Sequence, residues 1–387
     1  MTWEETQVVG STRAAMTVWP GHSRAVAASG AHAGSRRTKA AWTCGWALVL
    51  LMALACTTAR ADELPVLNVN AVPYLKAEGR GGYANFLLVN LPRAFAVSPS
   101  GRSGWSGGSG SLEQARAKAL SICAGQTTTD CAIYAEDLTV VWPGRPHVDP
   151  PAVPGPLITG SGYAFVPDPR FIWHGPQAAR GLYVWGHGKS PGQQDLSGDQ
   201  PQSYVRAFNN AGFDVVRFAR APATDYADNA EGWLREALPR LRALGWRMLV
   251  VGGQSRGGWN SLQMLDTPGL VDAVIAVSPA SLNSGLPAAQ AAEVYRITHA
   301  ANAPATRVAI AQFHGDAYVP TGMDDRVAAL RAGLTGRVGA LLLIDQPAGF
   351  SGHGAGNGFE FGRRFGACLL HFVIDPTPPA ECPGDAQ

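Results

Sequence analysis

The chain is poor in charged residues and has no large excess of either sign. Asp, Glu, Lys and Arg make up 16% of its 387 residues, and 31 basic residues against 29 acidic ones give a formal net charge of +2. This balance gives no reason to expect nucleic acid or an acidic membrane surface as a partner. No H-E-x-x-H or C-x-x-C metal spacing occurs, and no G-x-G-x-x-G follows a predicted strand. We therefore expect no metal and no cofactor.

Long apolar runs are missing too. The apolar stretch 46–55 has about half of the ~20 residues that a membrane-spanning helix needs. The basic segment 36–39 precedes it and Ala59-Arg60-Ala61 follows it, an arrangement typical of a cleaved export signal within residues 1–61. The sequence predicts cleavage after Ala61 and a periplasmic or secreted protein without a membrane span. A lipoprotein anchored at Cys56 is the alternative.

Cysteine is scarce, with six in the chain, of which four remain after export. An even number in an oxidising compartment favours disulfides, and four cysteines allow three pairings. We predict the local bridges Cys123 to Cys131 and Cys368 to Cys382, since each then closes within one domain. A bridge from Cys131 to Cys368 would instead cross the expected domain boundary.

Proline marks that boundary, because residues 143–157 form a proline-rich and therefore stiff linker. Residues 62–142 before it predict a small α+β accessory domain with an unknown ligand or a structural role. Its expected elements are strands at 94–97, 133–135 and 138–142, a helix over 111–123 with Ser111 as its N-cap, and a Gly/Ser loop over 101–111.

Residues 158–387 predict a mainly parallel sheet with helices on both faces, since strand and helix patterns alternate along them. Early antiparallel strands are expected at 163–166 and 171–173. Further strands are expected at 181–185, 213–218, 248–253, 271–277, 307–313 and 338–344, and helices at 203–211, 230–244, 288–300, 323–334 and 359–372.

The most informative segment is 248–265. An apolar run ends in glycines, Ser255 follows, and the pattern then becomes helical, with Trp259, Leu262 and Leu265 on one face. Within it Gly253-Gln254-Ser255-Arg256-Gly257 fits G-x-S-x-G, in which a serine occupies a strained turn between a strand and a helix. Here the sequence resembles the α/β-hydrolase superfamily, and the G-x-S-x-G-G form is similar to its dienelactone hydrolase and prolyl-oligopeptidase-like branches. The resemblance covers roughly residues 158–375.

The resemblance implies a triad in the order Ser, acid, His. Phe313-His314-Gly315-Asp316 follows a predicted strand and matches the H-G-D turn of the family, so Asp316 is the expected acid. The next strand leads to Ser351-Gly352-His353-Gly354, and His353 is the expected base. All three groups would then lie at the carboxyl ends of parallel strands, where ligands bind in such sheets.

The family also has an H-G turn after its third strand, which Gly186-His187-Gly188-Lys189 resembles. This implies an oxyanion hole formed by the backbone N–H groups of Lys189 and Arg256. His187 and His314 themselves are expected to be structural.

Other residues compete for two of these roles. Gly104-Trp105-Ser106-Gly107-Gly108 also fits G-x-S-x-G, but it falls in the Gly/Ser loop, so Ser106 is not the expected nucleophile. Asp324 and Asp325 on the next predicted helix are alternatives to Asp316.

The sequence thus predicts an exported serine hydrolase, most simply a carboxylic ester hydrolase acting on a small-molecule ester through an acyl-enzyme. A peptidase of the prolyl-oligopeptidase type and a catalytically idle hydrolase fold that serves as a binding module are the alternatives.

Overall fold

The computed structural model describes residues 64–190, 194–225, 229–281, 286–319 and 322–383. The expected export signal, with its cleavage site at Ala61 and the lipidation alternative at Cys56, lies outside the described residues. No helix within the described ranges is long and apolar enough to cross a membrane.

A four-stranded antiparallel sheet of order β2-β1-β3-β4 lies within residues 64–142, here called the small-sheet region. Ser111 Oγ accepts a hydrogen bond from Gln114 N–H at 3.2 Å, as its predicted N-cap role requires. A disulfide joins Cys123 to Cys131, one of the two expected pairings. The elements of this region are α1 (Ala77–Leu88), β1 (Ala94–Val97), β2 (Ser103–Ser106), α2 (Leu112–Ala124), β3 (Ala132–Glu136) and β4 (Thr139–Val140).

The prediction of a Gly/Ser loop at 101–111 is wrong for the first half of this segment, which contains strand β2. Trp105 pairs with Phe95 of β1, and Gly104 lies against α2, where an added Cβ would be 2.4 Å from Ala119 O. The glycine that suggested a flexible loop thus permits close packing of a strand on a helix. Helix α1 was not expected from the sequence, because Gly79, Gly81 and Gly82 weaken its helical pattern.

The larger sheet has eight strands in the order β12-β11-β10-β9-β7-β8-β6-β5. Strands β7 to β12 pair in parallel, and β5 and β6 join antiparallel at one edge. The elements are β5 (Ile158–Gly160), β6 (Tyr163–Pro167), β7 (Gly181–Gly186), α3 (Tyr204–Asn210), β8 (Phe213–Arg220), α4 (Ala230–Ala243), β9 (Leu249–Gln254), α5 (Arg256–Leu262), β10 (Ala273–Val277), α6 (Pro287–Ala300), β11 (Ala303–Gln312), α7 (Met323–Leu334), β12 (Val338–Asp345) and α8 (Phe359–Ile374).

Both faces of this sheet are covered, as the alternation of strands and helices predicts. Along β7, Leu182 and Val184 belong to the core cluster that includes α4, whereas Tyr183 and Trp185 belong to the cluster that includes α3 and α8. Successive strand residues point to opposite faces, so every position of the strand is buried. The second disulfide, Cys368 to Cys382, attaches the chain after α8 to that helix and matches the other expected pairing.

The prediction of an antiparallel strand at 171–173 is wrong, because β5 and β6 form the antiparallel edge of the sheet instead. Phe171 and Ile172 are buried in a loop. The Asn209 side chain accepts from Ile172 N–H at 2.9 Å and donates to Ile172 O at 2.8 Å. A side-chain amide thus satisfies the backbone groups that a neighbouring strand would satisfy, and the apolar pattern alone does not distinguish the two cases.

Candidate active site

Ser255, the predicted nucleophile, lies at the sharp turn between β9 and α5. Its backbone has φ 54° and ψ −119°, a region that residues with a side chain rarely adopt. The Ser255 N–H donates to Val277 O at 2.9 Å, and the Ser255 carbonyl accepts from Ala280 N–H at 3.2 Å. The chain therefore has the strand, strained turn and helix that the motif predicts.

The glycines of the motif allow two strands and a helix to meet at this turn. A Cβ added to Gly257 would lie 1.9 Å from the carbonyl oxygen of Gly186, and one added to Gly253 would lie 2.0 Å from the same atom. Both distances are far shorter than van der Waals contact. A side chain at either position would push the end of β7 away from the turn.

Asp316 and His353 form a direct pair. Asp316 follows β11 and His353 follows β12, and His353 Nδ1 lies 3.0 and 2.9 Å from the two carboxylate oxygens of Asp316. The carboxylate is almost fully buried and also accepts from Tyr318 N–H at 2.9 Å. Because a carboxylate only accepts, His353 Nδ1 must carry the proton, which leaves the lone pair of a neutral imidazole on Nε2.

His353 Nε2 is buried and has no hydrogen-bond partner within the described ranges. The Tyr318 ring meets the imidazole edge to face at a centroid distance of 4.3 Å, and Gln254 Nε2 donates to His353 O at 3.2 Å. Tyr318 thus packs on the imidazole ring, and Gln254 holds the backbone of His353. Gln254, the variable residue before the nucleophile, was not expected to have a role, since the motif accepts any residue there.

His314 joins two loops of the site through its backbone carbonyl, whereas its side chain is exposed. Its carbonyl accepts from Gly352 N–H at 2.8 Å and from Ser351 Oγ at 3.1 Å, which joins the loop after β11 to the loop after β12. Through this bridge the backbone sets the separation between Asp316 and His353.

His187 anchors the loop that follows β7. Its Nε2 accepts from Arg220 N–H at 3.0 Å, and its Nδ1 lies 2.6 Å from Gly188 O. Burial is the main cause that lowers the pKa of His187 to about 3, and the charge of Arg220 is the second. The ring is therefore neutral, with its proton on Nδ1.

A buried ion pair fixes the same loop from the other side. Arg220 Nε donates to Asp225 Oδ1 at 2.7 Å, while another guanidinium nitrogen donates to His187 O at 2.7 Å. Asp225 in turn accepts from Ser190 N–H at 2.7 Å. This loop contains Lys189, the predicted oxyanion residue, so its backbone position depends on a buried network of hydrogen bonds.

The predicted residues meet at one cavity of about 680 Å³. Ser255, His353, Lys189 and Arg256 all line it, and Asp316 reaches it through the His353 ring. A Cβ added to Gly188 would lie 3.7 Å from Cβ of Ser255, so the loop after β7 passes directly beside the nucleophile. Whether the N–H groups of Lys189 and Arg256 form the oxyanion hole stays a prediction.

The small-sheet region contributes to the same cavity through Asn90. Asn90 Nδ2 donates to Pro201 O at 3.1 Å, and the Gln200 side chain accepts from Leu91 N–H at 3.0 Å and donates to Leu91 O at 2.9 Å. The segment that lines this side of the cavity is therefore held by residues about 110 positions earlier in the chain. No sequence signal indicated this contact.

The competing residues lie elsewhere. Ser106 is in β2, where its Oγ lies 3.2 Å from Ser109 Oγ. Asp324 accepts from Gln346 Nε2 at 2.7 Å instead of bonding to His353. In the part of the chain that the structure describes, no group of three or more His, Cys, Asp or Glu residues could hold a metal ion.

Comparison with known proteins gives distant structural matches only. No family model and no curated protein matches the sequence. A Mycobacterium tuberculosis puromycin-hydrolyzing peptidase is 16% identical over 55% of this chain and 37% of its own length, with a TM-score of 0.35. An S-formylglutathione hydrolase from Agrobacterium tumefaciens is 19% identical over 54% of this chain and 87% of its own, with a TM-score of 0.37. The esterase domain of a Rhodothermus marinus protein is 17% identical over 50% and 85%, with a TM-score of 0.31.

At such identities and TM-scores the fold assignment depends on features of this chain. These are the eight-stranded order, the antiparallel edge followed by parallel strands, the helices on both faces and the serine turn between β9 and α5. The larger sheet of this chain, with its flanking helices, has the α/β-hydrolase fold.

Proposed function

We propose that the protein is a serine hydrolase that cleaves carboxylic esters, with Ser255 as nucleophile, His353 as general base and Asp316 as the group that orients the imidazole. The pairing of His353 Nδ1 with Asp316 carries this proposal, because it leaves the basic Nε2 at the cavity that Ser255 also borders. An imidazole fixed in this tautomer can take the proton of a serine hydroxyl.

The reaction has two stages. Ser255 Oγ attacks the ester carbonyl carbon while its proton passes to His353 Nε2, and the N–H groups of Arg256 and Lys189 stabilise the oxyanion that forms. The alcohol then leaves with the proton from His353, and an acyl-enzyme remains. Water, deprotonated by His353, attacks the acyl carbon, and the acid and the free Ser255 hydroxyl are regenerated.

Peptidase activity of the prolyl-oligopeptidase type is the alternative, and the cavity gives it little support. Such an enzyme holds the amino group of a peptide with a pair of acidic residues. The described lining contains one carboxylate, Asp199, which is exposed. Esters are therefore the preferred substrates.

We also propose that the protein is exported, with removal of residues 1–61 and a periplasmic or secreted mature form. The two disulfides Cys123 to Cys131 and Cys368 to Cys382 are compatible with an oxidising compartment. Sequencing of the mature N-terminus tests this, with Asp62 as the expected first residue and a lipid-modified Cys56 as the contrary result.

The catalytic proposal is tested by labelling with a fluorophosphonate and by hydrolysis of p-nitrophenyl esters and aminoacyl anilides. The wild type should label and hydrolyse the esters, whereas Ser255→Ala should fail to label and lose about 10³-fold or more in kcat. Ser106→Ala is the matched control and should retain activity. A Ser255→Ala variant as active as the parent would refute the proposal, and an unlabelled wild type would favour the idle binding module.

A further inference from the structure

Apart from Gln254, which donates to His353 O, four carboxamide side chains line the cavity: Asn90, Gln200, Gln202 and Asn357. A carboxamide has one acceptor oxygen and a nitrogen with two donor hydrogens. Which of these remains free for a substrate depends on the protein groups that each end meets.

The side-chain oxygens of Asn90 and Gln200 contact only hydrogen-bond donors. Asn90 Oδ1 accepts from Arg206 Nε at 3.1 Å, and Gln200 Oε1 accepts from Leu91 N–H at 3.0 Å and from another Arg206 guanidinium nitrogen at 2.5 Å. Guanidinium and backbone N–H groups cannot accept, so they fix the orientation of both amides. Their nitrogens donate one hydrogen each to backbone carbonyls, those of Pro201 and Leu91.

The other two amides form a directed chain that starts at Trp185. The indole Nε1 of Trp185 can only donate and lies 2.6 Å from Gln202 Oε1. Gln202 must therefore turn its nitrogen to Asn357, where Nε2 donates to Oδ1 at 3.2 Å. Both hydrogens of Asn357 Nδ2 are left, and no acceptor for them occurs within the described residues.

Each of the four amide oxygens thus accepts at least one hydrogen bond from the protein, whereas neither hydrogen of Asn357 Nδ2 has a protein acceptor within the described residues. Asp199, the carboxylate of this cavity, is exposed. Asn357 is also exposed, so its hydrogens can bond water until a substrate covers it. A substrate that covered Asn357 with alkyl groups alone would displace that water and leave these hydrogens without an acceptor, which is unfavourable.

We propose that the substrate is a hydrophilic ester with a second acceptor oxygen outside the scissile ester group, and that Asn357 Nδ2 donates a hydrogen bond to that oxygen. The inference rests on the proposed esterase activity and adds the substrate class to it. Asn357 is then a specificity residue of the cavity, positioned by Gln202 and Trp185, four residues after the proposed base His353.

The test uses two ester pairs that differ by the replacement of one CH₂ with oxygen. The acyl pair is p-nitrophenyl butanoate and p-nitrophenyl methoxyacetate; the alcohol pair is butyl acetate and 2-methoxyethyl acetate. For each pair the ratio of kcat/KM values is divided by the ratio of the alkaline hydrolysis rates, which removes intrinsic reactivity. The two pairs show on which side of the scissile bond the acceptor lies.

Asn357→Asp is the informative variant, because a carboxylate still accepts from Gln202 but cannot donate. We expect the wild type to prefer the ether-containing ester in at least one pair and Asn357→Asp to lower that preference about fivefold, the effect of one lost hydrogen bond. Asn70→Asp makes the same charge change at an exposed position of the small-sheet region and should leave the preference unchanged.

Two results would overturn the inference. The first is a ratio of kcat/KM values that equals one in both ester pairs after correction for the alkaline hydrolysis rates. The second is an unchanged preference for the ether-containing ester in Asn357→Asp. If either occurs while hydrolysis still depends on Ser255, the serine hydrolase stands and only the substrate class is wrong. If the wild type hydrolyses none of the four esters, the esterase proposal and this inference both fail.

Discussion

Acid should destabilise this protein through the buried side chain of His187. The imidazole is 1% exposed and accepts a hydrogen bond from Arg220 N–H through Nε2. Protonation of Nε2 would place a second donor against that N–H, next to the Arg220 guanidinium. Burial and this charge lower the pKa of His187 to about 3 in the folded protein.

The sign and size of the effect follow from linkage. In the unfolded chain a histidine has its ordinary pKa of about 6.5, so below that pH the unfolded state binds a proton that the folded state excludes. The stability from the neutral ring is complete above about pH 6.5 and falls as pH decreases towards the folded value. Between pH 8 and pH 5 the free energy of unfolding should decrease by about 2 kcal/mol from this one group.

Titration of Asp225 does not change the stability between pH 8 and pH 5. Burial by itself would raise the pKa of its carboxyl, but the Arg220 guanidinium and the Ser190 N–H hold it below its usual range. Its contribution is lost only when the pH falls below the ordinary carboxyl range of about 4. Between pH 8 and pH 5 the difference in stability change between the wild type and a variant without His187 therefore reports this histidine.

Urea unfolding at several pH values measures the effect, with the disulfides intact. His187→Asn does not titrate, so its stability should fall about 2 kcal/mol less than that of the wild type between pH 8 and pH 5. His147→Asn, at an exposed histidine, is the control and should behave like the wild type. Parallel curves for the wild type and His187→Asn would refute the reasoning.

Three further variants test the packing and the second disulfide by the same urea assay. Gly257→Ala should lower the free energy of unfolding by about 3 kcal/mol and lower esterase activity, because its Cβ would lie 1.9 Å from Gly186 O. Gly232→Ala on α4, with open space around its Cβ, should raise the free energy of unfolding by up to about 1 kcal/mol. Equal effects of the two substitutions would contradict the close approach of Gly257 to Gly186. Replacement of Cys368 and Cys382 together by Ala should cost about 3 kcal/mol, since the bridge closes a separation of 14 residues, and an unchanged unfolding midpoint would contradict this.

The large sheet could be predicted because its signals are local. Strands such as β9 and β10 are short apolar runs between helical patterns, and α7 has the bounds expected from its periodicity. The proposed triad was found for the same reason. Ser255 and Asp316 closely follow predicted strands, His353 lies in the loop after the next one, and the carboxyl ends of parallel strands lie at one edge of a sheet.

The predictions of secondary structure were wrong where a contact between distant parts of the chain overrides the local sequence pattern. Gly104 indicated a loop, but the packing of α2 against β2 leaves no room for a side chain there. Phe171 and Ile172 indicated a strand, but Asn209 supplies the hydrogen bonds that a strand partner would give. Neither partner can be identified from the residues around these positions.

The polar residues that shape the cavity were missed for the same physical reason. Asn90 and Pro201 are 111 positions apart, and Gln202 and Asn357 are 155 apart, yet each pair is joined by a hydrogen bond. Asn and Gln are common surface residues, so their occurrence alone predicts neither burial nor a partner. A motif identifies the groups that react, whereas such contacts set the shape and polarity of the space around them. Because the contact of Asn90 joins the small-sheet region to a segment that lines the cavity, we expect substitutions in that region to change substrate selection without altering any residue of the proposed triad.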